Sequence, residues 1–93
     1  MINVSIIGLG YVGLPLAIQF VESDVSVLGL DVDKSKVDSI NQGRSYIRHV
    51  PKEAIERAIS KKKLLASTDF SLLKGADAVI ICVPTPLNKN QDY

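Results

Sequence analysis

The chain has 93 residues, room for one domain, and an ordinary globular composition of 46% hydrophobic and 23% charged residues. A net charge of +1 gives no reason to expect a nucleic-acid or acidic-lipid partner, and the single cysteine excludes an internal disulfide and a cysteine metal cluster. Residues 1–9 are apolar but lack a basic leader and are broken by Gly8, and no apolar run nears the roughly 20 residues of a spanning helix, so neither signal peptide nor membrane is expected and the setting is cytoplasmic.

Ile2, Val4, Ile6 and Ile7 form a short β-branched run that ends in glycines, which predicts a buried strand. Residues 11–22 carry Val12, Leu16, Ala17, Phe20 and Val21 at helical spacing, with Pro15 near the start. Residues 25–30 predict a second strand. Asp33 is placed to cap a helix bearing Val37 and Ile40, and Gly43 to stop it. A polar loop spans 42–50. Pro51 then suits the first turn of a third helix, with Ile55, Ala58 and Ile59 as its apolar face. Glu53 near its start and Lys61, Lys62 and Lys63 near its end match the helix dipole. Residues 64–67 predict a short third strand, and Thr68 or Asp69 caps a further helical turn closed by Gly75. Residues 76–83 are nearly all apolar, as in a strand buried on both faces of a parallel sheet, and Pro84 and Pro86 end it. The order β-α-β-α-α-β-α-β implies an α/β fold, a Rossmann-type parallel sheet with flanking helices and right-handed crossovers.

The chemistry centres on Gly8-Leu9-Gly10-Tyr11-Val12-Gly13. Such a glycine pattern alone can mark a simple turn. Here a strand precedes it, an amphipathic helix follows, and Asp31 ends the next strand, 18 residues after Gly13. Gly8 permits the tight turn, Gly10 leaves room for a pyrophosphate against backbone amides, and Gly13 lets helix and strand pack closely. The helix N-terminus favours the phosphate charge. Asp31 is placed to accept hydrogen bonds from the adenosine ribose and to repel a 2′-phosphate, which favours NAD over NADP. Lys34 and Lys36 weaken that preference, since a nearby cation accommodates a phosphate. Val83, Pro84, Thr85 and Pro86 lie at the carboxyl end of the last strand, expected beside the first strand and opposite the second, where ligands bind in open parallel sheets. Thr85 is expected to face the same crevice as the glycine turn.

Residues 7–17, Ile7-Gly8-Leu9-Gly10-Tyr11-Val12-Gly13-Leu14-Pro15-Leu16-Ala17, resemble the opening of the UDP-glucose/GDP-mannose dehydrogenase family. So do Asp31-Val32-Asp33 with Lys36-Val37, then Ile40-Asn41 and Gly43, and the strand end Cys82-Val83-Pro84-Thr85-Pro86-Leu87. Ser45-Tyr46-Ile47 with His49-Val50 resembles the branch acting on UDP-N-acetylated hexosamines. The resemblance implies that residues 1–93 are the N-terminal part of an NAD-binding domain. It implies that Gly8, Gly10, Tyr11, Val12 and Gly13 hold the NAD pyrophosphate and that Asp31, with Lys36 close by, binds the ribose. It further implies that Val83, Pro84 and Thr85 line the cofactor. The family oxidises the C6 alcohol of a UDP-sugar or related substrate to a carboxylate in two NAD-dependent steps, through a thioester-level intermediate on a cysteine.

That cysteine lies in a glycine-rich segment far downstream in the family, so no catalytic residue is assigned here. Cys82 sits in an apolar strand and reads as a small buried hydrophobe. His49 reads as an exposed loop residue, Asp69 and Asp77 as cap and turn residues, and nothing has metal-ligand spacing. Tyr11 can cover the cofactor or pack on the neighbouring strand. A stand-alone NAD-sensing regulatory module would share the glycine turn and the acid without the strand-end motif. An unpaired outer edge on the last strand is expected to drive self-association, hence a homo-oligomer.

Overall fold

The computed structural model describes residues 3–82, so Val83, Pro84 and Thr85 lie outside the described residues. The elements are β1 (Asn3–Ile7), α1 (Gly13–Glu22), β2 (Ser26–Leu30), α2 (Lys34–Asn41), α3 (Lys52–Ser60), β3 (Leu64–Ser67), a short 3-10 helix (Phe70–Gly75) and β4 (Ala78–Ile81). All pairings are parallel, and the sheet order is β3-β2-β1-β4. The first strand is therefore central, with β4 on the side away from β2, as the alternating pattern predicts.

Register decides what each sheet face does. Val4, Val27 and Leu64 lie side by side, as do Ile6, Gly29 and Ala66. This face is covered by Leu14, Ala17, Ile18 and Val21 of α1, by Val37 and Ile40 of α2, and by Ala54, Ile55 and Ala58 of α3. Ile6, Leu14 and Ile55 are wholly removed from water, each contributing about 1.5–3 kcal/mol through burial. The opposite face carries Ser5, Leu28, Leu65 and Val79. Among the described residues only the 3-10 helix reaches over the sheet there, and Leu65, Val79 and Ile81 remain 54%, 46% and 67% exposed.

Three expectations are corrected by this arrangement. Strand β4 is not buried on both faces; among the described residues it is a sheet edge with an uncovered face, although its uniformly apolar sequence suits burial. The first helix starts at Gly13, not at residue 11, and Val12 is its exposed N-cap, outside the buried stripe. The physical reason is the turn that precedes it: residues 8–12 are spent in reversing direction from β1, so the helical face begins two residues later. Pro51 likewise is the N-cap of α3, one residue ahead of the first turn in which the sequence places it.

Local chemistry fixes the remaining ends. Asp33 caps α2 by accepting from the Ser35 amide at 3.0 Å, and Asp69 caps the 3-10 helix by accepting from the Ser71 amide at 3.0 Å. Hydrogen bonds from the Ser35 and Ser71 hydroxyls hold both carboxyls below the usual carboxylate range. At the end of α2, Asn41 donates Nδ2 to the Ala66 carbonyl at 2.8 Å and accepts from the Ala66 amide at 3.1 Å. One side chain thus pairs both edge groups of Ala66 as a neighbouring strand would, which blunts the outer edge of β3. Replacing Asn41 by alanine leaves that amide and carbonyl without their partner. The expected loss is about 1–3 kcal/mol, measured as a lowered urea midpoint; an unchanged midpoint would show that water replaces the pairing at no cost.

Candidate cofactor site

The parallel strands deliver their carboxyl ends to one edge of the sheet, and a cleft of about 1230 Å³ opens there. Gly8, Gly10, Tyr11, Val12, Asp31 and Lys36 all line it, together with Cys82 just beyond β4. The structure thus brings together the predicted site residues of its described range at one cleft, except Gly13, which packs against the Gly8 backbone and does not line it.

The floor is the glycine turn. Gly8 continues the ladder by donating its amide to the Leu30 carbonyl at 2.7 Å, then adopts φ 100, a backbone conformation that side chains disfavour. Gly13 begins α1 directly above Gly8. A Cβ there would come 1.6 Å from the Gly8 carbonyl oxygen and 3.4 Å from the Cys82 Cβ. Gly10 has a different setting: nothing lies within 4 Å of where its Cβ would be. Its missing side chain therefore leaves open cleft, not packing room. No side chain caps α1, its first turn holds no acidic residue, and Pro15 occupies a position whose amide would lack an intrahelical partner in any case. An electropositive helix end thus opens on the cleft without a carboxylate of its own to satisfy it.

Asp31 forms the rim. Its Oδ2 accepts from the Leu9 amide at 2.8 Å and its Oδ1 from the Asp33 amide at 2.9 Å. These two bonds fix the plane of the carboxylate and tie it to the glycine turn. Each oxygen keeps a lone pair for a further donor, an arrangement suited to a pair of neighbouring hydroxyls. Lys36 sits with its ammonium 6.0 Å from the Tyr46 ring centroid, while Lys34 is engaged by Asp38 at 2.9 Å on the surface of α2. Of the two lysines flagged beside Asp31, only Lys36 lines the cleft.

Tyr11 and Val12 are 77% and 65% exposed. Tyr11 is therefore held by little packing and stands at the cleft mouth. His49 is exposed, and Cys82 is half-buried instead of fully buried.

Three contributors were not singled out for their role. Gly29 lies in mid-β2, where a Cβ would meet the Leu9 Cδ2 at 2.7 Å; an isolated glycine inside a strand is the usual signal for such close approach. Phe70 lines the cleft from the 3-10 helix, with no spacing that marks it. Tyr46 donates its hydroxyl to the Leu9 carbonyl at 2.5 Å across 37 residues of sequence. Burial pushes the Tyr46 phenol well above its usual pKa, and the Asp31 and Asp33 carboxylates push it further, so it stays a proton donor.

Residues 2–93 match the family described as "UDP-glucose/GDP-mannose dehydrogenase family, NAD binding domain". The chain belongs to the UDP-glucose/GDP-mannose dehydrogenase family. It is 40% identical over 92 residues to GDP-mannose 6-dehydrogenase of Pseudomonas putida, a match covering 97% of this chain and 21% of that protein. It is 37% identical over 90 residues to UDP-N-acetyl-D-mannosamine dehydrogenase of Pyrococcus horikoshii, covering 92% and 21%. GDP-mannose dehydrogenase of Pseudomonas aeruginosa, solved as a ternary complex, superposes with a TM-score of 0.90 at 37% identity, covering 96% of this chain and 21% of that one. The chain spans about a fifth of the length of these relatives. The superposition places the four-stranded parallel sheet and its helices in the N-terminal part of a dehydrogenase Rossmann domain.

Proposed function

We propose that this chain is the NAD-binding part of a nucleotide-sugar 6-dehydrogenase, and that residues 1–93 form the N-terminal part of its dinucleotide-binding domain. One observation carries this reading: the carboxylate of Asp31 is locked onto the glycine turn through the Leu9 amide. That bond sets a ribose acceptor and a pyrophosphate cradle on one rigid frame. Open space over Gly10 and an uncapped α1 fit a phosphate-bearing ligand. In this reading Gly8, Gly10, Tyr11, Val12 and Gly13 hold the pyrophosphate, Asp31 takes the ribose hydroxyls, and Lys36 stands beside them. Val83, Pro84 and Thr85 are assigned to the cofactor on the family resemblance.

NAD supplies the hydride acceptor when bound. This chain's residues bind and orient it, and the oxidising step belongs to the cysteine-bearing part of the complete enzyme. The substrate we propose is a UDP-sugar, either a UDP-N-acetylhexosamine or UDP-glucose, on the likeness of residues 45–50 to that branch. Relatives named for GDP-mannose and for UDP-N-acetylmannosamine lie at comparable identity, so overall similarity does not choose the sugar. A cytoplasmic homo-oligomer completes the proposal; the exposed Val79 and Ile81 on the β4 edge support the association.

The test is titration calorimetry with NAD and NADP. NAD is expected to bind more tightly, because Asp31 accepts the 2′-hydroxyl and repels a 2′-phosphate. Equal affinities would overturn the NAD assignment, and an absence of binding to either would overturn the site.

A further inference from the structure

We propose that Tyr46, which stands outside the glycine motif, is a positioning residue for the dinucleotide site: by donating its hydroxyl to the Leu9 carbonyl it aims the Gly10 amide into the cleft. The proposal rests on the dinucleotide reading above.

The argument begins with the peptide plane. The Leu9 carbonyl and the Gly10 N–H belong to one planar trans peptide, so they point in opposite directions. A bond that holds the carbonyl therefore sets the amide. The Tyr46 hydroxyl holds that carbonyl at 2.5 Å. The Gly10 amide itself forms no hydrogen bond with the described residues, and Gly10 lines the cleft. It is thus a donor left available on a peptide whose far end is tied down.

Leu9 is held at every other point as well. Its amide donates to Asp31 at 2.8 Å. Its side chain is fully buried and lies against the bare backbone of Gly29. Rotation of the Leu9–Gly10 peptide is the freedom left to the turn, and Tyr46 removes it.

Tyr46 can do this because its own loop is stitched. The Ser45 hydroxyl lies 2.9 Å from the Ile47 carbonyl and 2.5 Å from the Val50 carbonyl, donating to either, and accepts from the Ile47 amide at 3.3 Å. Ile47 and Val50 are 4% and 5% exposed within the core. The loop between α2 and α3 is therefore a strut from the core to the glycine turn.

The experiment compares Tyr46→Phe with wild type in the full-length protein. Phenylalanine keeps the ring and its place over Lys36 and removes only the donor. The affinity for NAD is expected to fall about tenfold, while adenosine, which lacks a pyrophosphate, binds both proteins alike. Hydrogen exchange of the Leu9 amide in unliganded protein is expected to quicken, while the Ile6 amide in β1 stays protected. Unchanged NAD affinity, with or without a lower Tm, would overturn the role of Tyr46 and leave the dinucleotide reading standing. Equal losses for NAD and adenosine would also overturn it, since they would signal general damage. A wild-type protein that binds no NAD would overturn the reading itself and this inference with it.

Discussion

Gly13→Ala is expected to cost about 4 kcal/mol or more, enough to unfold a domain of this size. The cause is one contact. The added Cβ would lie 1.6 Å from the Gly8 carbonyl oxygen, and both atoms are held by backbone. Overpacking in a core is usually relieved by side-chain rotation at about 1–3 kcal/mol. Here no side chain can yield. Relief needs α1 to lift from β1, which would pull Leu14 and Ala17 out of the core they now fill. Chemical denaturation of the variant beside wild type measures this. A midpoint within experimental error of wild type would show that the helix start can shift without loss.

Gly10→Ala supplies the contrast within the same turn. Nothing lies within 4 Å of the added Cβ, and the Gly10 backbone is not left-handed. Stability is expected to stay within about 0.5 kcal/mol of wild type, as for substitutions that touch nothing, while NAD affinity falls. The two glycines of one motif thus separate: Gly13 serves packing, and Gly10 serves the ligand. A stability loss at Gly10 equal to that at Gly13 would contradict this division.

How much of this was legible beforehand follows from the range of the interactions. Residues 64–67 read as β3 and form it with the same bounds. Asp33 and Asp69 read as caps and are caps, because an Asp bonding an amide two residues on is a local event. The glycine turn and Asp31 were legible because the motif encodes their spacing. The exposure of Val12 is not legible in sequence, because a helical period cannot show where the helix starts; the turn's backbone does. The exposure of strand β4 is not legible in sequence, because apolar composition reports that a segment suits burial, not which neighbours cover it. Tyr46 and Gly29 act through Leu9 across long sequence separations, so no window around them contains their partner. What the chain hid were contacts made only after the sheet closes.

Asp31→Ala is expected to lower NAD affinity by about 10–100-fold, the worth of about 1.5–3 kcal/mol from hydrogen bonds to a charged acceptor. The same change leaves the Leu9 and Asp33 amides without their acceptor, so stability falls too, by about 1–3 kcal/mol. NADP should lose less than NAD, because removing the carboxylate also removes its repulsion of the 2′-phosphate, and the preference for NAD narrows. Asp31→Asn is no mild substitute. Its amide group would have to face one of the two backbone donors that the carboxylate now accepts, so it should lie near alanine in both readouts. Asp31→Glu then divides charge from position. The longer side chain keeps the negative charge at the rim but loses the short bond to the Leu9 amide that orients the carboxylate. If charge alone sets the cofactor choice, Asp31→Glu retains the wild-type preference at reduced affinity. If the Leu9 bond is what aims the acceptor at the ribose diol, the NAD affinity of Asp31→Glu falls towards that of alanine. The 2.8 Å contact favours the second outcome, and wild-type NAD affinity in the glutamate variant would refute it.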